Sequence, residues 1–231
     1  MTVDAVHAMS GTHRTLHGPR LRGLYAVTPD LADTTLLATL VDAALAGGAT
    51  MVQYRNKSAN PALRAEQAAR LALVCAAHGR PLIINDHVAL ALGIDGAGLH
   101  VGAEDFADVD ALNALRRRLG TSRLLGVSCY RSVERARDAV AAGADYVAFG
   151  SVFPSSTKPH APSAALDTFG AARDLGVALV GIGGVTRDNL SSLIGAGADA
   201  AAIITDLFAV PDPAVVRDRA AALARAFTVP A

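Results

Sequence analysis

Cysteine is scarce in this chain: Cys75 and Cys129 are the two present, they stand far apart, and neither sits in a metal-binding or redox spacing. The sequence therefore offers no disulfide framework, and both thiols are expected to be small core residues in a reducing compartment. Net charge is lacking as well. Lysine plus arginine and aspartate plus glutamate number 21 each, so the whole-chain field has no pull on nucleic acid or an anionic membrane, and any attraction for phosphate must be local. No apolar run approaches the roughly 20 residues that cross a bilayer, and the N-terminus lacks a charged-then-apolar leader pattern; a soluble, cytoplasmic protein is expected. Residues 1–20 hold His7, His13 and His17 without helical or strand periodicity. They are expected to form a mobile N-terminal extension rather than a metal-binding tail.

Apolar residues are abundant, at 52% of 231 residues. That suffices for one large core, so one domain over 21–231 is expected. Short apolar runs recur: Thr50-Met51-Val52, Leu82-Ile83-Ile84, Gly98-Leu99-His100-Val101, Leu124-Leu125-Gly126-Val127, Tyr146-Val147-Ala148-Phe149 and Ala178-Leu179-Val180-Gly181-Ile182. Each is apolar throughout rather than alternating, the pattern of a parallel strand buried on both faces. Alanine-rich stretches of helical length separate them, and no Pro/Gly/Ser-rich linker divides the series, which is βα repetition. Strands are predicted near 24–28, 50–55, 82–86, 98–101, 124–128, 146–150, 178–182 and 200–205. Helices are predicted near 33–47, 60–79, 87–93, 107–119, 132–143, 163–175, 186–196 and 212–227. Eight units in this length fit an α/β chain closed into a (β/α)8 TIM barrel at its small end. An open doubly wound sheet is the competing architecture, and eight units without a change of pattern weigh against it. Gly47-Gly48, Gly79, Gly120, Gly143, Gly176 and Gly197 fall where the helices should stop. In the first helix, Leu36, Leu37, Leu40, Val41, Ala44 and Leu45 make one stripe to lay on the barrel.

Polar or glycine clusters end these runs: Gln53-Tyr54-Arg55-Asn56-Lys57, Asn85-Asp86, Glu104-Asp105, Ser128, Ser155-Ser156-Thr157-Lys158 and Gly183-Gly184. Cations, acids and glycines gathered where such strands stop are what a site for a magnesium-bound phosphate compound requires. Strand alternation sends Gln53, Arg55 and Lys57 to one side and Tyr54 to the other. Arginine grips two phosphate oxygens with a planar fork and lysine acts as a mobile point charge, a pair suited to a diphosphate; a solvated strand end is the bland alternative. Asp86 and Asp105 are expensive to bury without a cation, and carboxylates from neighbouring strand ends can share a hard magnesium ion. Both also precede helices and can serve as caps or first-turn acids, so the two readings stay open. His87 and His100 have no partner at metal spacing, and His100 reads as a hydrogen-bonded core residue. The long, proline-bracketed stretch 150–160 is expected to cover or line the site. Gly183-Gly184 after the seventh strand, with Ile204 and Thr205 after the eighth, stand where such barrels bind phosphate on backbone N–H groups.

Taken in order, Leu24-Tyr25-Ala26-Val27-Thr28, Val52-Gln53-Tyr54-Arg55-Asn56-Lys57, Ile84-Asn85-Asp86, Leu99-His100-Val101-Gly102-Ala103-Glu104-Asp105, Gly126-Val127-Ser128, Phe153-Pro154-Ser155-Ser156-Thr157-Lys158 and Ile182-Gly183-Gly184-Val185 resemble the thiamine-phosphate synthase family, from about residue 24 to 210. The resemblance implies a transferase that joins hydroxymethylpyrimidine diphosphate to a thiazole phosphate, giving thiamine phosphate and pyrophosphate through a pyrimidine-methyl cation. Carried over residue by residue, it implies that Gln53, Arg55, Lys57 and Asn85 bind the pyrimidine diphosphate, with Mg2+ on Asp86 and Asp105. Lys158 is implied on the same diphosphate, and Ser128 on the pyrimidine. Arg55, Ser128 and Lys158 are thereby the implied catalytic group. Ser155, Ser156 and Thr157 match the family's loop facing the thiazole partner, and Gly184, Ile204 and Thr205 its phosphate pocket. Two positions depart from the commonest pattern: Ala103 replaces a usual glutamine beside the metal loop, and Ser155 a common threonine.

Two rival readings compete with this one. A thiazole tautomerase resembles the chain over most of its length, but that family carries a histidine two residues beyond the serine of the fifth strand, where this chain has Tyr130. A noncatalytic phosphate-ligand sensor predicts the loss of a costly charged group, and none of that set is missing. The partners expected are small-molecule substrates, with no nucleic acid and no membrane. Barrel helices look alike whether they face water or a second copy, which leaves a homo-oligomer open.

Overall fold

The structure is a computed structural model and describes residues 21–102, 108–154 and 164–228. Eight parallel strands close into a barrel in the order β1 to β8, with β1 paired to β8. They are β1 Gly23–Val27, β2 Met51–Tyr54, β3 Leu82–Asn85, β4 Gly98–Val101, β5 Leu125–Tyr130, β6 Tyr146–Phe149, β7 Ala178–Ile182 and β8 Ala200–Ile203. The helices among the described residues are α1 Thr34–Ala46, α2 Pro61–Ala77, α3 Val88–Gly93, α4 Val109–Leu119, α5 Val133–Ala141, α6 Asp167–Ala171, α7 Leu190–Gly195, α8 Thr205–Phe208 and α9 Pro213–Arg225. The expected closed barrel is the one observed. None of these helices is long and apolar enough to cross a membrane. The expected extension over 1–20 lies outside the described residues.

Side-chain alternation on strands with two covered faces divides the interior into two cores. Tyr25, Val27, Met51, Ile83, Tyr146, Ala148, Ala178, Val180, Ala200 and Ala202 fill the barrel. Their neighbours Leu24, Ala26, Val52, Tyr54, Ile84, Leu99, Val127 and Val147 point outward under the helices. The stripe read on α1 is buried at Leu37, Leu40, Val41, Ala44 and Leu45. Cys75 and Cys129 are both buried and free, as expected.

Local chemistry sets the helix ends. Asp33, Asn60 and Asp212 accept from the first-turn N–H groups of α1, α2 and α9, and Pro61 and Pro213 open two of these helices with a preset φ. Gly120 ends α4 at φ 76, a backbone region that side chains disfavour. Three boundaries differ from the sequence expectation. The helix predicted over 163–175 shrinks to α6 and a 3-10 turn over Arg173–Leu175, since Gly170 inside it weakens the helix while Phe169 anchors it edge-on to Phe149. The helix predicted from 186 begins at Leu190, because Asn189 folds its side chain back onto Thr186 N–H and the Gly184 carbonyl. The eighth strand stops at Ile203 and the chain turns into α8, which buries Leu207 and Phe208.

The N-terminal end of the barrel is pinned by carboxylates that accept from strand N–H groups. Asp145 accepts from Leu125 N–H at 2.8 Å and pairs with Arg116 at 2.9 Å, the two side chains being 8% and 9% exposed. Asp199 accepts in the same manner from Leu179 N–H at 3.0 Å. Removing one partner of a buried pair strands the other charge, so Asp145→Ala is expected to cost about 3–5 kcal/mol in urea unfolding. A loss below about 1 kcal/mol, the scale of an exposed pair, would show that Arg116 is rehydrated at no great cost.

Candidate active site

At the opposite, C-terminal end the inward side chains become polar. Gln53 is the last inward residue of β2, buried at 3% exposure, and its Nε2 donates to the Tyr25 hydroxyl at 2.8 Å. The Tyr25 and Tyr146 hydroxyls lie 2.8 Å apart. Tyr146 Oη is 3.0 Å from His100 Nδ1, and His100 Nε2 is 2.9 Å from Ser128 Oγ. A hydrogen-bonded string thus crosses the barrel from β2 to β5. Tyr146 fits because its neighbour across β5 is Gly126, where a Cβ would overlap the phenol ring. Burial raises the pKa of both phenols above the ordinary tyrosine value, so they stay neutral. His100 is the hydrogen-bonded core residue the sequence suggested.

Beyond Gln53 the β2 tip carries the cations. Thr28, fully buried at the end of β1, accepts from Arg55 N–H and donates to the Arg55 carbonyl, both at 2.9 Å. This double contact fixes where Arg55 leaves the barrel rim. The Arg55 guanidinium lies 3.6 Å from Asp30, which also accepts from Lys57 N–H at 3.1 Å. Lys57 itself is exposed. Tyr54, facing outward as alternation predicted, donates to Gln67 Oε1 at 2.8 Å. Asn56 is a structural clip: it donates to Gln67 and the Leu31 carbonyl and accepts from Ser58 and Ala59 N–H. A hydrogen-bonded base therefore carries the two cationic side chains.

At the end of β3, Asp86 adopts φ 61, a left-handed conformation that Asp tolerates better than most residues. Its N–H is held by the His100 carbonyl at 2.8 Å, and its Oδ2 accepts from Asn85 Nδ2 at 2.6 Å. Helix α3 has His87 at its N-cap and no side-chain capping bond. Of the two readings left open for Asp86, the helix cap is therefore not the one adopted. Its carboxylate is aimed by backbone geometry instead. The second acid, Asp105, lies outside the described residues, as do Ala103, Ser155, Ser156, Thr157 and Lys158.

The turns after β7 and β8 are linked to each other. Gly183 and Gly184 have φ 95 and 66. A Cβ on Gly184 would meet the Phe153 and Pro154 carbonyls, so the turn and the strand-six loop are packed directly together. Arg187 N–H donates to Asp206 Oδ2 at 3.2 Å, tying the Gly184 turn to the Ile204–Thr205 turn. Ile204 is half-buried and Thr205 exposed at the start of the short α8. Sequence reasoning missed Tyr25 and Tyr146 in the string, and also Thr28, Asp30, Gln67 and Asn189. The available signal was polarity at inward strand positions of an apolar barrel.

The family described as thiamine monophosphate synthase matches residues 24–207. The chain belongs to the thiamine-phosphate synthase family. The thiamine-phosphate synthase of Aromatoleum aromaticum is 50% identical over 195 residues, covering 84% of this chain and 92% of that protein. That of Chromobacterium violaceum is 50% identical over 196 residues, covering 85% and 93%. Among solved structures, thiamine phosphate pyrophosphorylase from Pyrococcus furiosus is similar with a TM-score of 0.76 and 27% identity, over 89% of this chain and 95% of that one. The function is that of a thiamine-phosphate synthase, a transferase of thiamine biosynthesis, and its substrates are small molecules.

Two outcomes follow for a thiamine-phosphate synthase site built this way. Gly184→Ala strains the turn and displaces the 153–154 backbone, and KM for the thiazole phosphate is expected to rise about tenfold or more; an unchanged KM would separate this turn from the thiazole side. The second concerns alkaline pH. Burial pushes Tyr54 from 10.0, and Cys75 and Cys129 from 9.0, up to about 12. The unfolded chain releases these protons first, so stability is complete below about pH 9 and falls as pH rises toward about 12. Urea midpoints at about pH 8 and about pH 10.5 test this, and equal midpoints would show that the groups ionise normally in the fold.

Proposed function

We propose that this barrel, with residues 21–231 as the catalytic domain and 1–20 an extension outside it, works in the cytoplasm by a dissociative substitution. Gln53, Arg55, Lys57 and Asn85 hold hydroxymethylpyrimidine diphosphate, with Lys158 on the same diphosphate and Ser128 on the pyrimidine. Ser155, Ser156 and Thr157 face the thiazole phosphate, whose phosphate rests on Gly184, Ile204 and Thr205. The bond between the pyrimidine methylene carbon and the diphosphate oxygen breaks, and its electron pair leaves with pyrophosphate. The thiazole ring nitrogen then donates its lone pair to the methylene carbon and forms the new C–N bond. No proton is transferred, so no general base is assigned. The protein's share is alignment and charge: Arg55, Lys57 and Lys158 stabilise the departing diphosphate.

The observation that carries this reading is the β2 tip, where Gln53 points into the barrel and the Thr28 clamp sets Arg55 at its rim. Magnesium fits the acids. Asp86 offers a hard oxygen donor that no helix cap consumes, and Asp105 is assigned as its companion. When bound, the ion supplies further positive charge to the diphosphate oxygens.

The test is incubation with both substrates, with and without magnesium, following pyrophosphate and thiamine phosphate together. Magnesium-dependent formation of both is expected; binding of the thiazole phosphate without turnover would overturn the reading. Asp86→Ala and Asp105→Ala are each expected to lower turnover about 100-fold with thermal unfolding little changed. Lys158→Ala should lower kcat about 100-fold while KM for the thiazole phosphate holds. An unaltered kcat would make Lys158 a surface lysine.

A further inference from the structure

Around the Gln53–Ser128 string, Val27, Met51, Ile83, Ala148, Val180 and Ala202 line the barrel with apolar side chains. Phenylalanine would fill the places of Tyr25 and Tyr146 equally well, since the rings pack edge-on at 5.9 Å and Tyr146 stacks on His100 at 5.6 Å. The two hydroxyls add no packing, and burying them is favourable only because each is hydrogen-bonded. Their bonds have a direction. An amide nitrogen can only donate, so the Tyr25 oxygen accepts from Gln53 Nε2; either phenol can donate in the 2.8 Å bond between Tyr25 and Tyr146, and the direction that leaves no buried hydroxyl hydrogen unpaired sends the Tyr25 hydrogen to Tyr146. In that arrangement the Tyr146 hydrogen goes to His100 Nδ1, which is then the bare nitrogen of the ring. A neutral imidazole in that state carries its proton on Nε2 and donates to Ser128 Oγ. At the two ends, the Ser128 hydroxyl hydrogen is left for a ligand, and Gln53 Oε1 accepts no hydrogen bond among the described residues.

We propose that Tyr25, Tyr146 and His100 are positioning residues that set the polarity of the pyrimidine site, so that Ser128 meets the ring as a donor and Gln53 as an acceptor. The proposal rests on the reading above that these two residues hold the pyrimidine diphosphate. The ligand is complementary: an aminopyrimidine offers ring nitrogens that accept and an exocyclic amine that donates. A ring bearing a carbonyl in place of the amine inverts that pattern and leaves buried groups mismatched, the kind of discrimination that polar sites make well. The string is therefore a specificity device whose working parts, two phenols and an imidazole, act through Gln53 and Ser128.

The experiment combines kinetics with a spectroscopic readout on the full chain. Wild type, Tyr25→Phe and Tyr146→Phe are assayed with the amino substrate and with its oxo analogue. Each tyrosine variant is expected to raise KM for the pyrimidine diphosphate about tenfold and to shrink the amino-over-oxo preference by a similar factor. KM for the thiazole phosphate should hold, while the thermal midpoint falls by a few degrees because a buried partner is left unpaired. In a Ser128→Ala background, Tyr146→Phe should cost less than in the wild type, because the part of its effect carried through that serine is already lost while the Gln53 arm remains. Nitrogen NMR of 15N-histidine protein at about pH 8, with His100 assigned through His100→Gln, should show a bare Nδ1 and a protonated Nε2, and Tyr146→Phe should abolish that preference. An unchanged substrate preference, an additive double variant, or a protonated Nδ1 at His100 would each overturn the proposal. A wild type without synthase activity would instead overturn the function assigned above, and the NMR result would still decide the string.

Discussion

Closure of the sheet, through pairing of β1 with β8, is the constraint on which everything else rests. It makes every strand a central one, covered by helices outside and by other strands' side chains inside. Every second residue then belongs to a small enclosed volume in which bulky side chains from all strands compete for room. Gly126 is the clearest consequence: it gives up its side chain so that Tyr146 can cross the barrel. Without that vacancy neither the T-shaped contact with Tyr25 nor the bond to His100 forms.

The two ends of the barrel handle polarity in opposite ways. At the N-terminal end, Asp145 and Asp199 spend their oxygens on strand N–H groups and, for Asp145, on Arg116, which is stabilising work and leaves little for a ligand. At the C-terminal end, polar groups are supported on one side and open on the other. Ser128 is held by His100 and Arg55 is clamped through its backbone while its side chain reaches out. Backbone clamping sets Arg55 in place while its guanidinium keeps a part-exposed pair with Asp30 at 3.6 Å, a weaker hold than a buried ion pair.

The same logic extends to the turns. Asn189 holds the Gly184 carbonyl, and Asp206 links that turn to the one after β8. Their backbone is thus fixed by side chains of the same end of the barrel.

Much of this was legible in the sequence, for a definite reason. Strands buried on both faces must be apolar throughout, so the runs at Leu82-Ile83-Ile84 and Tyr146-Val147-Ala148-Phe149 announced a parallel sheet, and period-two alternation placed Gln53 inward and Tyr54 outward. The joint order of the strand-end clusters marked the family, which the match over 24–207 bears out. What sequence alone left open were contacts between residues distant along the chain: Tyr25 with Tyr146 is a pairing across 121 positions, invisible until the barrel closes. Likewise, whether Asp86 caps a helix or stands free of that duty depended on a backbone turn at φ 61 and on a bond to the His100 carbonyl. Local pattern determined the strands, the helices and the kinds of group at the rim; tertiary closure decided which groups touch, because side-chain neighbours across a barrel are set by register and not by order in the chain.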